Sequence, residues 1–98
     1  MTIGSFAATG QSANFIPNPL PQGVGFNVSI YGTFVASIQL ERSFDNGANW
    51  LQTTAGGAAF NVWTAPCSES VQETSANVLY RLNCTAYTSG TANYRMDQ

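Results

Sequence analysis

From Val24 onward the chain alternates apolar and polar side chains with a period of two. Val24, Phe26, Val28 and Ile30 fall on one face, and Gly25, Asn27, Ser29 and Tyr31 on the other. Beyond Gly32 the even positions stay apolar: Phe34, Ala36, Ile38 and Leu40 stand against Thr33, Val35, Ser37, Gln39 and Glu41. Period two marks half-buried strands. A two-residue hairpin loop would exchange the two faces. The retained parity therefore predicts a three-residue turn, or one long strand kinked at Gly32, where glycine supplies the unusual dihedrals. Val78, Tyr80, Leu82, Cys84 and Ala86 alternate again, opposite Leu79, Arg81, Asn83 and Thr85. Ala92, Tyr94 and Met96 resume the inward set after the five-residue linker Tyr87-Thr-Ser-Gly-Thr91, which predicts a hairpin.

Between these segments the pattern is shorter. A strand is expected near Trp50–Thr53, then the flexible Ala55-Gly-Gly-Ala58, then a strand over Phe60–Thr64 stopped by Pro66. Residues 67–76 are polar and acidic and read as a loop with a short strand. No stretch has a helical period. Seven to eight short strands in one chain of this length indicate an all-β fold, a single antiparallel β-sandwich of the Ig-like or jelly-roll-like kind. The domain is expected over residues 24–98. Residues 1–23 read as an N-terminal arm or loop, with short strands around Ile3–Ala7 and Ala13–Ile16. In this segment Pro17, Pro19 and Pro21 favour an extended run without ladder hydrogen bonds.

Charge narrows the function. Charged residues are only 8% of the chain, against a usual share near 25%. Lysine and histidine are absent, and with Arg42, Arg81 and Arg95 against five acids the net charge is −2. No basic patch can track phosphates, so nucleic acid is not an expected partner. A neutral polar exterior suits a protein packed against copies of something else. No apolar run reaches the roughly 20 residues that span a membrane. The start MTIGSFAATGQS lacks a signal peptide's basic and apolar regions, so the expectation is a chain made and used without Sec export. The sequons at Asn27 and Asn83 are then read as chance matches.

The one stretch that looks like a functional signature is SFDNGANW, residues 43–50, with the spacing S-x-D-x-G-x-x-W of an Asp-box. Catalysis fits it poorly. Without His or Lys the usual bases and Schiff-base nucleophiles are missing. A glycosidase would need paired acids across a cleft. The candidates are Glu41, Asp45, Glu69, Glu73 and Asp97, and only Glu69 and Glu73 share a segment. The expectation is therefore no enzyme. Asp45, Asn46 and Gly47 are strong turn chemistry, so Ser43, Asp45, Gly47 and Trp50 read as a structural hairpin motif. Weak Ca²⁺ or sugar contact by Asp45 and Asn46 is the alternative.

Cys67 and Cys84 could pair in one disulfide or stay reduced. Two cysteines without histidine cannot supply the four ligands of a zinc site, and no metal or cofactor is expected. Tyr31, Trp63 and Tyr87 fall on the outward parity or in loops. With Pro17, Pro19 and Pro21 they are the candidate interface residues, for a subunit or lattice contact or a sugar platform.

The run GFNVSIYGTFVASIQLERSFDNGANW, with the closing YRLNCTAYTSGTANYRMDQ, resembles small virion proteins of tailed bacteriophages. The resemblance covers residues 23–54 and 69–98. It implies a non-enzymatic structural protein. Within that class a capsid decoration (cement) protein is favoured, bound to the outside of the lattice through the major capsid protein or other virion proteins. It also implies a homo-oligomer, with a trimer as the guess, and a location in the virion after synthesis in the bacterial cytoplasm. A carbohydrate- or host-receptor-binding module, or a small neck, tail or fibre component, is the alternative.

Overall fold

Strands dominate, as the period-two pattern requires. A computed structural model describes residues 1–17, 25–73, 75 and 77–98. Among them the chain forms eleven strands. In order these are β1 (Thr2–Phe6), β2 (Gly10–Gln11), β3 (Phe26–Tyr31), β4 (Phe34–Ser43), β5 (Leu51–Gln52) and β6 (Thr54–Ala55). They continue as β7 (Ala58–Ala59), β8 (Val62–Trp63), β9 (Cys67–Val71), β10 (Leu79–Gly90) and β11 (Ala92–Asp97). The first sheet has the order β1-β11-β3-β9. The second has the order β2-β10-β4-β5, with β8 also paired to β4, and β6 and β7 form a small hairpin of their own. Every pairing is antiparallel. The fold is all-β, in eleven described strands and three sheets rather than seven or eight strands. The excess comes from two-residue strands that periodicity cannot resolve.

Its backbone is one antiparallel ribbon folded over. β3 pairs β11 in the first sheet, and β4 pairs β10 in the second. Tyr31 faces Asn93 before the crossing and Phe34 faces Gly90 after it, so three steps along one strand match three along the other. Gly32 has φ 110° and Gly90 φ 86°, and the Thr91 amide donates to the Thr33 carbonyl at 2.9 Å. A Cβ on Gly90 would run into that carbonyl, so the bend needs glycine there. The even positions stay inward across Gly32 because the strand crosses between sheets, which bears out the kink and excludes the turn. The expected β10–β11 hairpin is corrected for the same reason: the two strands follow each other at Thr91 but lie in different sheets.

Two bulges refine the parity of β10. One step on β4 matches two on β10 between Cys84 and Ala86, and again between Tyr87 and Ser89. The first bulge moves the inward face from even to odd positions, and the second restores it. Ala86 is consequently exposed and Tyr87 is half-buried against the core, the reverse of the simple alternation.

The two larger sheets share one core. Phe26 of β3 meets Tyr80 of β10 with ring centroids 4.8 Å apart, and Phe15 meets Phe26 at 5.1 Å. Val28, Ile30, Ile38, Leu40, Leu82 and Met96 complete the centre with no accessible surface. Each such side chain contributes about 1.5–3 kcal/mol of burial.

The described part of residues 1–23 is not an arm. β1 pairs β11, β2 pairs β10, and Phe15 exchanges both backbone hydrogen bonds with Tyr80 at 2.8 Å. Residues 1–17 thus belong to both sheets, because Phe6 and Phe15 bury enough apolar surface to override the proline signal. Pro17 is buried, while Pro19, Pro21 and Val24 lie outside the described residues.

Candidate functional site

The Asp45 motif closes the β4–β5 hairpin, in which Arg42 faces Leu51 and Glu41 faces Gln52. Ser43 ends β4 fully buried. Its Oγ donates to Asp45 Oδ1 at 2.7 Å and accepts from the Gly47 amide at 2.8 Å. Asp45 Oδ1 also accepts from the Asn49 amide at 2.9 Å, and Oδ2 accepts from Asn49 Nδ2 at 2.7 Å. Asn46 and Gly47 take the left-handed conformation, φ 59° and 91°, which Asn tolerates and Gly adopts freely for want of a Cβ. The Asn49 side chain, its backbone amide and then Ser43 hold the Asp45 carboxyl down at about 2. Asp45 spends its acceptors on its own turn, and a bound ion would have to compete with them. Asn49 is the member that the sequence reading missed, although its place four residues after Asp45 was in plain view.

Trp50 ties this turn to the outer face of the second sheet. The Arg81 guanidinium lies 4.3 Å from its ring centroid and donates to Glu41 Oε1 at 2.8 Å. Glu41 also accepts from Gln39 at 2.6 Å and from Asn83 at 3.0 Å. Burial opposes its ionisation, but the bonds from Asn83, Gln39 and Arg81 outweigh burial and lower its pKa. Periodicity had placed Glu41 outward. It does face outward, yet it is buried beneath these neighbours.

A second buried carboxylate lies between the sheets. Glu73 accepts from the Tyr80 hydroxyl at 2.8 Å and Arg42 at 3.4 Å, and its other oxygen accepts from the Ser75 amide at 3.0 Å. Burial, reinforced by the Glu73 acceptor, pushes the Tyr80 phenol up to about 12. Arg42 and Tyr80 border an open cleft of about 920 Å³ between β9 and the β8 edge. Phe60, Asn61, Trp63 and Glu69 also line it. Trp63 is buried, and its Nε1 donates to Glu69 Oε2 at 3.0 Å across the gap between the two sheets. The expected outward platform at Trp63 is therefore corrected: the indole is a latch. The exposed aromatic ring of the cleft is Phe60, which the sequence reading used only as a strand residue.

The remaining candidates separate. Tyr31 is half exposed at the end of β3, whereas Tyr87 is half-buried and its hydroxyl donates to the Gly90 carbonyl at 2.7 Å. Cys67 and Cys84 are free thiols on strands of different sheets. Burial pushes Cys67 up to about 11 and raises Cys84 as well, so both stay protonated and inert near neutrality.

One property unites these details. Arg42 pairs with Glu73, Arg81 with Glu41 and Arg95 with Asp97. Asp45 is held by Ser43 and Asn49, and Glu69 by Trp63. Each of the chain's eight charged side chains thus has a partner within the chain. Set against protein-family models, curated proteins and solved structures, the chain matches none.

Proposed function

We propose that this chain is a non-enzymatic structural protein of a tailed-bacteriophage virion, a decoration protein seated on the outside of the capsid lattice. In this reading the two facing sheets are a single β-sandwich of the Ig-like or jelly-roll-like kind. It contacts the major capsid protein and its own copies, as a trimer, in a particle assembled in the bacterial cytoplasm. The observation that supports the reading most is the internal pairing of every charged side chain. What remains outside is largely uncharged, a mixture of amide and hydroxyl groups with exposed apolar side chains such as Ile3, Val35, Phe44 and Leu51. Asn27, Ser29 and Ser68 interlink across the first sheet, and Gln11, Asn83 and Gln39 lie on the second. Such surfaces suit permanent neutral packing and give no long-range steering.

The test mixes purified protein with emptied, expanded heads. Near-stoichiometric binding, a higher thermal rupture temperature and affinity insensitive to salt are expected, because screening acts on exposed charges. Absence of head binding, or binding abolished by salt, overturns the reading. The second reading, a carbohydrate- or receptor-binding module on a tail or spike, is favoured by the cleft with its exposed Phe60. Glycan-array binding lost in Phe60→Ala, without head binding, would establish it instead.

A further inference from the structure

The two large sheets treat their edges differently. The pieces that flank the second sheet are short: β2, β5 and β8 have two residues each, the β6–β7 finger interrupts the β5–β8 side, and β10 is bulged where it runs past β2. Short, broken edges are how proteins prevent strand addition. Among the described residues the first sheet has no such protection. Its edges β1 and β9 are five residues each, unbroken in register, and contain no proline, lysine or arginine. The one charge on them, Glu69, points to the cleft side and is engaged by Trp63.

The two edges also fit each other. Three antiparallel pairings separate β1 from β9, so the two strands run in opposite senses. Brought together by rotation between copies, they meet antiparallel with the core-facing sides matched. Centring Gly4 on Glu69 sets the exposed Ile3 and Ser5 beside Ser70 and Ser68 on the outer face. It sets Thr2 and Phe6 beside Val71 and Cys67 on the inner face. The inner side of Gly4 is filled by the Tyr94 ring of its own sheet.

We propose that β9 of one copy is the docking edge for β1 of a second copy, joining their four-stranded sheets into one continuous sheet. The contact is head-to-tail, so it generates a ring if the rotation closes. A second copy is the favoured occupant because one chain supplies both edges, with equal length and opposite sense. With a net charge of only −2 on each chain, repulsion between copies is weak. This inference deepens the homo-oligomer part of the reading above and does not depend on the capsid part.

The test is made in solution, in a Cys67→Ser background whose fold is checked by circular dichroism. Mixing Ser5→Cys protein with Ser68→Cys protein should give an oxidative cross-link between copies, while neither protein cross-links alone. Sedimentation should show the parent associating, and Ser68→Lys should weaken that association at least tenfold. Val35→Lys, on the second sheet, should leave it unchanged. Cross-linking by Ser5→Cys alone would mean β1 meeting β1 and would overturn the proposal. A parent that stays monomeric at its highest attainable concentration would also overturn it. Head binding by such a monomer would leave the decoration reading standing, so the two failures are distinguishable.

Discussion

Two excursions leave the same edge of the second sheet, and each is rooted at a buried hydroxyl. The Asp45 turn starts from Ser43, and the β6–β7 finger from Thr53. The finger is an insert in the edge strand. Glu41 faces Gln52 while Gln39 faces Val62, so two steps on β4 are matched by ten on the edge, eight of them extra. Thr53 Oγ lies 3.3 Å from the Leu40 carbonyl and 3.2 Å from that of Phe60, and accepts from Asn61 Nδ2. That clamps the neck. Beyond it stand only Thr54, Ala55, Gly56, Gly57, Ala58 and Ala59, all exposed, with both glycines at positive φ. Ser43 instead reaches forward into its turn, where Asp45 and Asn49 carry the bonding to the tip. The same edge thus holds a loop wired by its side chains and one defined by backbone alone. A two-stranded hairpin without packing is marginal in water.

The sharpest way to break this contrast is Ser43→Ala. It strands the part-buried Gly47 amide and removes a donor from Asp45, and should cost about 1–3 kcal/mol in urea unfolding. A change within about 0.5 kcal/mol, the range of an ordinary surface substitution, would show the wiring to be ornamental. A smaller effect is expected on acidification. Asp45 has a lowered folded pKa of about 2. Its contribution is therefore complete above the unfolded value of about 3.9 and is lost as pH falls through the folded one. Carboxyl NMR should find that low midpoint in the parent and a higher one in Asn49→Ala, with the finger's resonances unmoved. Smallest of all should be Gly56→Asn at the finger tip. Asn tolerates the φ of 61° there and no atom lies near its Cβ, so stability should change by less than about 0.5 kcal/mol. Amide exchange should be fast in the finger and slow at Gly47 and Asn49. Equal protection in both would remove the distinction.

Much of this was readable before folding. The alternation of Phe26, Val28 and Ile30, and of Ile38 and Leu40, named core residues correctly because strand period is a local property. Asp45-Asn46-Gly47 announced its turn for the same reason, since its hydrogen bonds reach no further than four residues. Trp63 and Tyr87 were misplaced because their environment is not local. Trp63 is covered by a strand from the other sheet, and Tyr87 was turned inward by a bulge whose extra residue no pattern marked.

By itself, then, the sequence determined an all-β chain, its inward face and a self-sufficient turn, all set by contacts between residues close along the chain. Tertiary structure decided that β3–β4 and β10–β11 are one ribbon folded at Gly32 and Gly90. It also decided which acid meets which arginine and which sheet keeps open edges. Parity is blind to these choices, because a strand that turns back and one that crosses to a facing sheet can present the same side chains to the core.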